Sequence, residues 1–341
     1  MESKSLFMLL LLGGIVVMGI FAMNILPLTD INQERTFQVD EIEQINVDVT
    51  IYPVHVIRTT AGSEIKFHLY GRSSEDTELI ADLHQGTVDV EIRHKYRVHL
   101  PDRLYLDIYL PEDYEKSLDI NITTGSVELD DLDLTAFRLN TTTGGMKADH
   151  LNADDVSIRT TTGSIRINQL TANNLEIRGS TSGVSIDECV VETGVIKTTT
   201  GAIHVPEAKG DFNIEASTGR VTFAMNTLQE HTIRIKTTTG AIQVNDGSGD
   251  FDLEASTGSV KLSMAAFQEN NVRIKTTTGG ITLQLPEDAE FSLQAENTTG
   301  SINSDFPIQK ISEHKVTGEI GAASGSVTLK ASTGSINLLK K

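Results

Sequence analysis

The stretch Val156-Ser157-Ile158-Arg159-Thr160-Thr161-Thr162-Gly163-Ser164-Ile165-Arg166-Ile167 holds the pattern on which most of the chain is built. Apolar Val156, Ile158, Ile165 and Ile167 alternate with polar Ser157, Arg159 and Arg166, the period of a strand with one buried face. The alternation breaks once, at Thr161-Thr162-Gly163-Ser164, where glycine supplies a turn position suited to positive φ. One such unit cannot bury its apolar edge alone. Stacked on copies of itself, it can.

Copies run on both sides. The phrase Thr/Ser-Thr-Gly-x-Ile/Val places structural turn glycines at Gly125, Gly144, Gly163, Gly201, Gly219, Gly240, Gly258, Gly279, Gly300 and Gly334, and Gly183 fills the gap between Gly163 and Gly201. From Gly125 to Gly300 the steps are 19, 19, 20, 18, 18, 21, 18, 21 and 21 residues. A longer period lies on top: Gly201, Gly240 and Gly279 are 39 residues apart, and residues 210–219 are nearly copied at 249–258. The fold expected is all-β, a parallel β-solenoid of about 18–21-residue repeats. Ile165, Val184, Ile203, Val221, Ile242, Val260, Ile281 and Ile302 then form one internal ladder, and the turn threonines form another. Roughly twelve rungs at ~4.8 Å make a rod of about 55–60 Å. A series of antiparallel hairpins fits the same period and is the competing geometry.

Upstream, residues 34–118 alternate cleanly, as in Leu104-Tyr105-Leu106-Asp107-Ile108-Tyr109-Leu110-Pro111, but carry no Thr-Thr-Gly. They read as degenerate rungs or a cap, shielding a sheet edge that would otherwise invite aggregation. Before them, residues 6–28 hold no charge over 23 positions, enough for a helix to cross the ~30 Å hydrocarbon core. A cleaved signal peptide is the alternative, but Phe21-Ala22-Met23-Asn24 is a poor small-x-small site and no lipobox cysteine exists. A retained single-pass transmembrane helix is expected. Lys4 and the α-amine, set against Asp30 and Glu34, place the N terminus in the cytoplasm and the bulk of the chain outside the cell membrane. The domain layout is a cytoplasmic tip and transmembrane anchor at 1–28, a membrane-proximal β region at 34–118, and Thr-Thr-Gly repeats at 119–341.

A formal net charge of −19 disfavours nucleic-acid partners, because a negative surface repels phosphate backbones. Trp is absent and aromatics make up 5%, few for the stacking platforms of many sugar binders. Cys189 is the single cysteine, so no intramolecular disulfide can form. With no basic neighbour in sequence, it reads as a small core residue rather than a reactive thiol.

The hydrophobic N-terminal segment, the strand phrase ending Leu106 to Pro111 and the T-x-G-x-I repeats together resemble a bacterial adhesin-like family of β-strand-repeat proteins. That family includes the LiaG-like proteins encoded beside cell-envelope stress regulators. The resemblance spans residues 35–341. It implies the repeat fold, a bacterial surface location and a part in envelope stress, and it brings no catalytic residues.

The chain shows little that carries chemistry. The nine histidines have no metal-ligand spacing, and the G-x-S-x-G elbow, the P-loop and the G-x-G-x-x-G fingerprint are missing. Asp130, Asp131 and Asp133 cluster as carboxylates do in calcium-dependent polysaccharide lyases, yet a solvated turn explains them more simply. Asp246, Asp250 and Asp252 look faintly like a calcium loop, which the sister repeat does not keep. Thr-x-Thr pairs such as Thr160/Thr162 and Thr198/Thr200 resemble ice-binding faces, but Ala216-Ser217-Thr218 and Ala255-Ser256-Thr257 break the array. One basic cluster, Arg93, Lys95 and Arg97, suits contact with anionic wall polymer or lipid head groups. The reading is a membrane-anchored, surface-displayed, non-enzymatic β-solenoid without cofactor or metal. Its expected partners are cell-wall polymers or envelope-stress membrane proteins, and the alternative is a lyase-like carbohydrate-active enzyme.

Overall fold

The computed structural model describes residues 28–60, 62–74, 76–94, 103–225 and 231–341. Over these residues the chain is all-β, one continuous sheet wound into stacked rungs. The transmembrane expectation falls on residues outside this set. Among the described residues, no helix is long and apolar enough to cross a membrane.

The best-formed rungs are long strands, Met146–Thr162, Ile165–Thr181 and Val184–Thr200, paired parallel and in register. Each is bent. In Ile165–Thr181 the inward residues are Ile165, Ile167, Leu170, Ala172, Leu175 and Ile177, and the alternation slips at two outward pairs, Asn168-Gln169 and Asn173-Asn174. A strand keeps successive side chains on opposite faces, so two consecutive outward residues mark a corner. With the Ser180-Thr181 turn, each rung has three sides around one apolar core.

The corners explain their own composition. Stacked carboxylates would sit about one strand spacing apart and repel. Instead Asn168 donates to Asp149, Asn173 to Asp154 and Asn174 to Asp155, each at 2.9 Å, so an amide lies over each acid. At the third corner the glycine column is forced by backbone contact. Gly163 has φ +151°, and a Cβ there would lie 1.9 Å from the carbonyl oxygen of Gly144 one rung away.

Pairing registers this column through Ser182, with Gly183 one place further on, beside Ser164 and Ala202. The turn position assigned to Gly183 by sequence therefore belongs to Ser182, and the steps around it are 19 and 19 residues. The exchange is compensated three residues earlier. Gly179 stands where neighbouring rungs carry Thr160 and Thr198, and a Cβ on Gly179 would meet that of Ser182 at 2.6 Å.

Beyond residue 203 the third side shrinks. The register shifts between Val190 and Thr193, and later rungs split into two short strands joined by loops. Phenylalanines fill the core that the lost side lined: Phe212 packs edge-on to Phe223 at 5.2 Å, and Phe291 contacts both Phe267 and Phe306. The 39-residue period is structural, since the Thr232 amide donates to Asp211 and the Asn271 amide to Asp250 in the same way.

Both ends break the sequential order. The rung Gln44–Val49 with Val54–Thr59 lies between a later rung, Thr87–His94 with Arg103–Pro111, and the following one, Ser117–Thr124 with Val127–Leu129. At the other end the last rung, Gly325–Thr333 with Ile336–Lys340, slots between Asn271–Thr278 with Ile281–Leu285 and Phe291–Thr299 with Ile302–Ser304. Antiparallel strands cover both ends, Thr29–Gln38 and Glu64–Ser73 at one and Lys315–Ile320 with Gln309–Ser312 at the other. The expected parallel solenoid thus holds through the middle and is modified at its ends. The internal ladder runs Ile165, Val184, Ile203, Val221, Ile242, Val260, Ile281, then Ile336, and only then Ile302. Ile281 and Ile302 are not neighbours, because the chain's final rung separates them.

Two tests follow from this packing. Gly179→Thr alone should lower the unfolding midpoint by about 1–3 kcal/mol equivalent through overpacking, whereas Gly179→Thr with Ser182→Gly restores the pair used by the other rungs. The double variant should recover the parent's stability, since it recreates the Thr198 and Gly201 pair of the next rung, in which the threonine donates to the glycine carbonyl. Additive destabilisation in denaturant titrations would refute the exchange. Deleting residues 325–341 should expose Phe291–Thr299 to protease and amide exchange while the strands between residues 117 and 225 stay protected. Unchanged protection of Phe291–Thr299 would contradict the inserted position of the last rung.

Candidate functional site

The Thr-Thr-Gly phrases form one face of the stack. Thr124, Thr143, Thr162, Thr181, Thr200, Thr218, Thr239, Thr257, Thr278, Thr333 and Thr299 register in one outward column, eleven rungs without interruption. The residue before each is Thr or Ser and is also outward. The first threonine of the triplets points inward: Thr198, Thr237 and Thr276 are buried and donate to the carbonyls of Gly201, Gly240 and Gly279. Ala216 and Ala255 occupy that inward column, so they do not interrupt the outer hydroxyl array, as the sequence pattern suggested. What makes the face unlike a flat hydroxyl surface is the next column.

Two residues before each middle hydroxyl stands a charge column. From one end it reads Asn121, Asn140, Arg159, Arg178, Lys197, Glu215, Lys236, Glu254, Lys275, Lys330 and Glu296. Six cations face three carboxylates there, in a chain whose net charge is −19. Arg159, Arg178 and Lys197 are consecutive, about 4.8 Å apart along the stack. Glu176 bridges the first two, at 2.5 and 2.6 Å, and Glu215 accepts from Lys197 at 2.9 Å. Lys275 and Lys236 both hold Glu254 below the usual carboxylate range. These are surface pairs, worth about 0–1 kcal/mol, and an incoming anion can replace the carboxylates at little cost. A groove of about 710 Å³ follows this face, lined by Asn140, Thr142, Arg159, Thr161, Arg178 and Lys197 among others.

Arg93 lies at the foot of the same face, two residues beyond Glu91, which registers with Asp48 and through it with Asn121. It reaches back to Glu91 at 2.5 Å. Lys95 and Arg97 lie outside the described residues. The Asp130, Asp131 and Asp133 carboxylates diverge: Asp130 faces His55 at 3.3 Å, Asp131 pairs with His150, and Asp133 accepts from Arg58 at 2.6 Å. Asn152, and then Arg58, hold Asp133 below its ordinary range. Asp246 pairs with Lys341 at 2.8 Å, and Asp250 accepts the Asn271 amide. Among the described residues, no group of three or more His, Cys, Asp or Glu converges as a metal site.

Sequence reading passed over Arg159, Arg178 and Lys197. Their signal is the residue opening each phrase: Arg159-Thr-Thr-Thr, Lys197-Thr-Thr-Thr and Lys236-Thr-Thr-Thr against Glu215-Ala-Ser-Thr and Glu254-Ala-Ser-Thr. Only the stacking register turns that one letter into a column.

The chain matches the Toastrack DUF4097 family model twice, over residues 42–231 and 208–339, and it belongs to that family. Among solved structures it is similar to a candidate cell-adhesion protein of Clostridium sporogenes, at 12% identity, 92% of this chain, 100% of that chain and a TM-score of 0.27. It is also similar to a candidate adhesin of Parabacteroides merdae (11%, 90% and 96%, TM-score 0.34). A candidate lipid-binding protein of Parabacteroides distasonis matches likewise (10%, 90% and 96%, TM-score 0.34). TM-scores this low carry no argument about function. No curated protein matches the chain significantly.

Cys189 is fully buried, and burial pushes its thiol up to about 12. Below that pKa the neutral thiol dominates, so at pH 8 native protein should not react with a disulfide reagent such as Ellman's, and denaturant should release one reactive thiol per chain. Stoichiometric labelling of the native chain would place Cys189 at an opening site.

Proposed function

We propose that the chain is a membrane-anchored, surface-displayed, non-enzymatic scaffold that binds an anionic envelope polymer along its threonine face. The observation that carries this reading is the excess of cations in the charge column, Arg159, Arg178, Lys197, Lys236, Lys275 and Lys330, within a strongly acidic protein. A polymer with regularly spaced negative charges meets a regularly spaced row of donors, and hydroxyls beside each cation add weak polar contacts. Many weak contacts on an open face suit retention of a long chain, whereas turnover needs groups converging in a cleft. Arg93 stands at the foot of that face, and the sequence cluster Arg93, Lys95 and Arg97 supports further contact with anionic polymer there. The uncharged run at residues 6–28 supports single-pass anchoring with the bulk of the chain outside the cell, and the LiaG-like resemblance supports a role in envelope stress.

The test is binding of the full-length chain to poly(glycerol phosphate) against a neutral dextran control. The parent should bind the phosphate polymer at low ionic strength and lose it as salt rises. Arg159→Gln with Arg178→Gln and Lys197→Gln should weaken binding by about tenfold or more, roughly 1.4 kcal/mol, and flatten its salt dependence. Equal binding by the triple variant, or no binding by the parent at low salt, would overturn the assignment.

A further inference from the structure

A second surface, remote from the threonine face in character, lies on the outer side of the N-terminal strands Thr29–Gln38, Glu64–Ser73, Arg103–Pro111 and Val54–Thr59, hydrogen-bonded in that order. Strand alternation buries Phe67, Leu69, Leu104, Leu106 and Ile108 beneath it. The opposite positions carry Lys66, His68, Tyr70 and Arg72 on one strand and Arg103, Tyr105, Asp107 and Tyr109 on its antiparallel neighbour. Three of the five described tyrosines therefore share this face, Tyr70 directly opposite Tyr105 and Tyr109 four residues further along the strand, in a chain without tryptophan. Tyr105 is 45% exposed and is one of only two large exposed hydrophobic residues among those described.

The rings are pre-arranged. His68 stacks on Tyr70 at 4.9 Å and 29°, and Tyr70 stacks on Tyr105 at 5.6 Å and 24°, so three rings form one row that ends at the exposed Tyr105. Polar contacts fix the row from the sides. His68 contacts Asn32 at 2.7 Å, Tyr109 donates to the Asp107 carboxylate at 3.3 Å, and the Lys66 ammonium sits 4.4 Å from the Tyr109 ring centre. Asp107 itself is 8% exposed, a carboxylate set down among aromatic rings. Burial, and then Asp107, raise the phenols of Tyr70 and Tyr109, so both stay neutral donors at physiological pH. A polar hollow of about 430 Å³ adjoins Tyr109, lined by Thr36, Thr59, Ser63, Glu64 and Lys66.

We infer that this row is a binding platform for a neutral, β-linked pyranose chain, with one sugar ring stacked on Tyr105 and the chain running along the strand, past Asp107, towards the polar hollow beside Tyr109. A pyranose presents an apolar face of C–H bonds and a rim of hydroxyls, and the surface offers the complement to both: the exposed Tyr105 ring at the end of the row, and carboxylate, imidazole and guanidinium groups around it. Charge selects a neutral ligand. The cations Lys66, Arg72 and Arg103 are matched by Asp30, Glu34 and Asp107 on the same face, and Arg72 already pairs with Asp30 at 3.2 Å. Two sources share this chemistry, a glucan and an N-acetylhexosamine polymer.

The absence of tryptophan makes tyrosine emission the intrinsic probe. The full-length chain should be titrated separately with cellohexaose and chitohexaose, at low and at high salt. Saturable change in tyrosine emission with either sugar, insensitive to salt, is expected, and which sugar acts identifies the source. Tyr105→Ala should weaken binding by about tenfold, the size of one lost stacking contact, while Tyr105→Phe keeps it. Thr222→Ala on another face serves as the unaffected control. Silence with both sugars, equal binding by Tyr105→Ala, or binding abolished by salt would overturn the proposal. Because both oligosaccharides are uncharged, the basic column gives them no screened attraction, so failure here leaves the polymer reading standing and failure of that reading leaves this one.

Discussion

Everything in this molecule depends on parallel backbone ladders that set each residue directly over its own counterpart, about 4.8 Å away. Each position must therefore tolerate a copy of itself. Isoleucine and valine do so inside and threonine does so outside. Glycine does so where the backbone of one turn presses on the next, as with Gly163 on Gly144. Charged residues do so only at a cost, and the chain offsets it with Asn over Asp at the corners, with Lys–Glu alternation through residues 215–275, and with Glu176 between the stacked Arg159 and Arg178. Self-stacking thus acts as a filter on composition. A chain with few prolines, few aromatics and many threonines passes it.

Much of this was legible because a repeat shows the same physical choice many times. The all-β class, the inward ladder from Ile165 to Ile281 and the threonine turn all follow from period two and the spacing of glycines. The misplacement of Gly183 shows the limit of reading by letter. Ser182 and Gly179 exchange roles within one rung, and only their contact distance reveals that the small residue has moved three places. Ile302 shows a second limit, because a sequence is read in order while stacking order is set by which strand finds which partner. The candidate faces were hidden for the same reason. Arg159, Arg178 and Lys197 lie 19 residues apart, as do many unrelated pairs, and Tyr70 and Tyr105 are joined only by antiparallel pairing. The low aromatic content argued against a ring platform, but content says nothing about clustering.

Net charge behaves in the same way. A value of −19 describes the far field of the whole chain, yet register sorts the charges by side. Acids collect at the corners, where Asp149, Asp154 and Asp155 accept hydrogen bonds from the next rung. Cations collect beside the threonines. Screening confines each patch to about 8–10 Å at physiological salt, roughly two rungs, so a polymer on one face is governed by that face.

The ends show how a stack of this kind can stop. An open parallel edge is a template for another chain, and charged residues at the terminus blunt it only partly. Here each end is turned by antiparallel strands, and a rung from out of sequence is trapped beneath them. Rung Gln44–Val49 is held between strands made later, and Gly325–Thr333 is held between strands made earlier. Neither trapped rung can fray without breaking ladders on both of its sides, whereas an ordinary terminal rung would have only one ladder to lose. Phe291–Thr299 cannot complete its parallel ladder until residues 325–333 have arrived, so closure of that end waits for a strand made about thirty residues later.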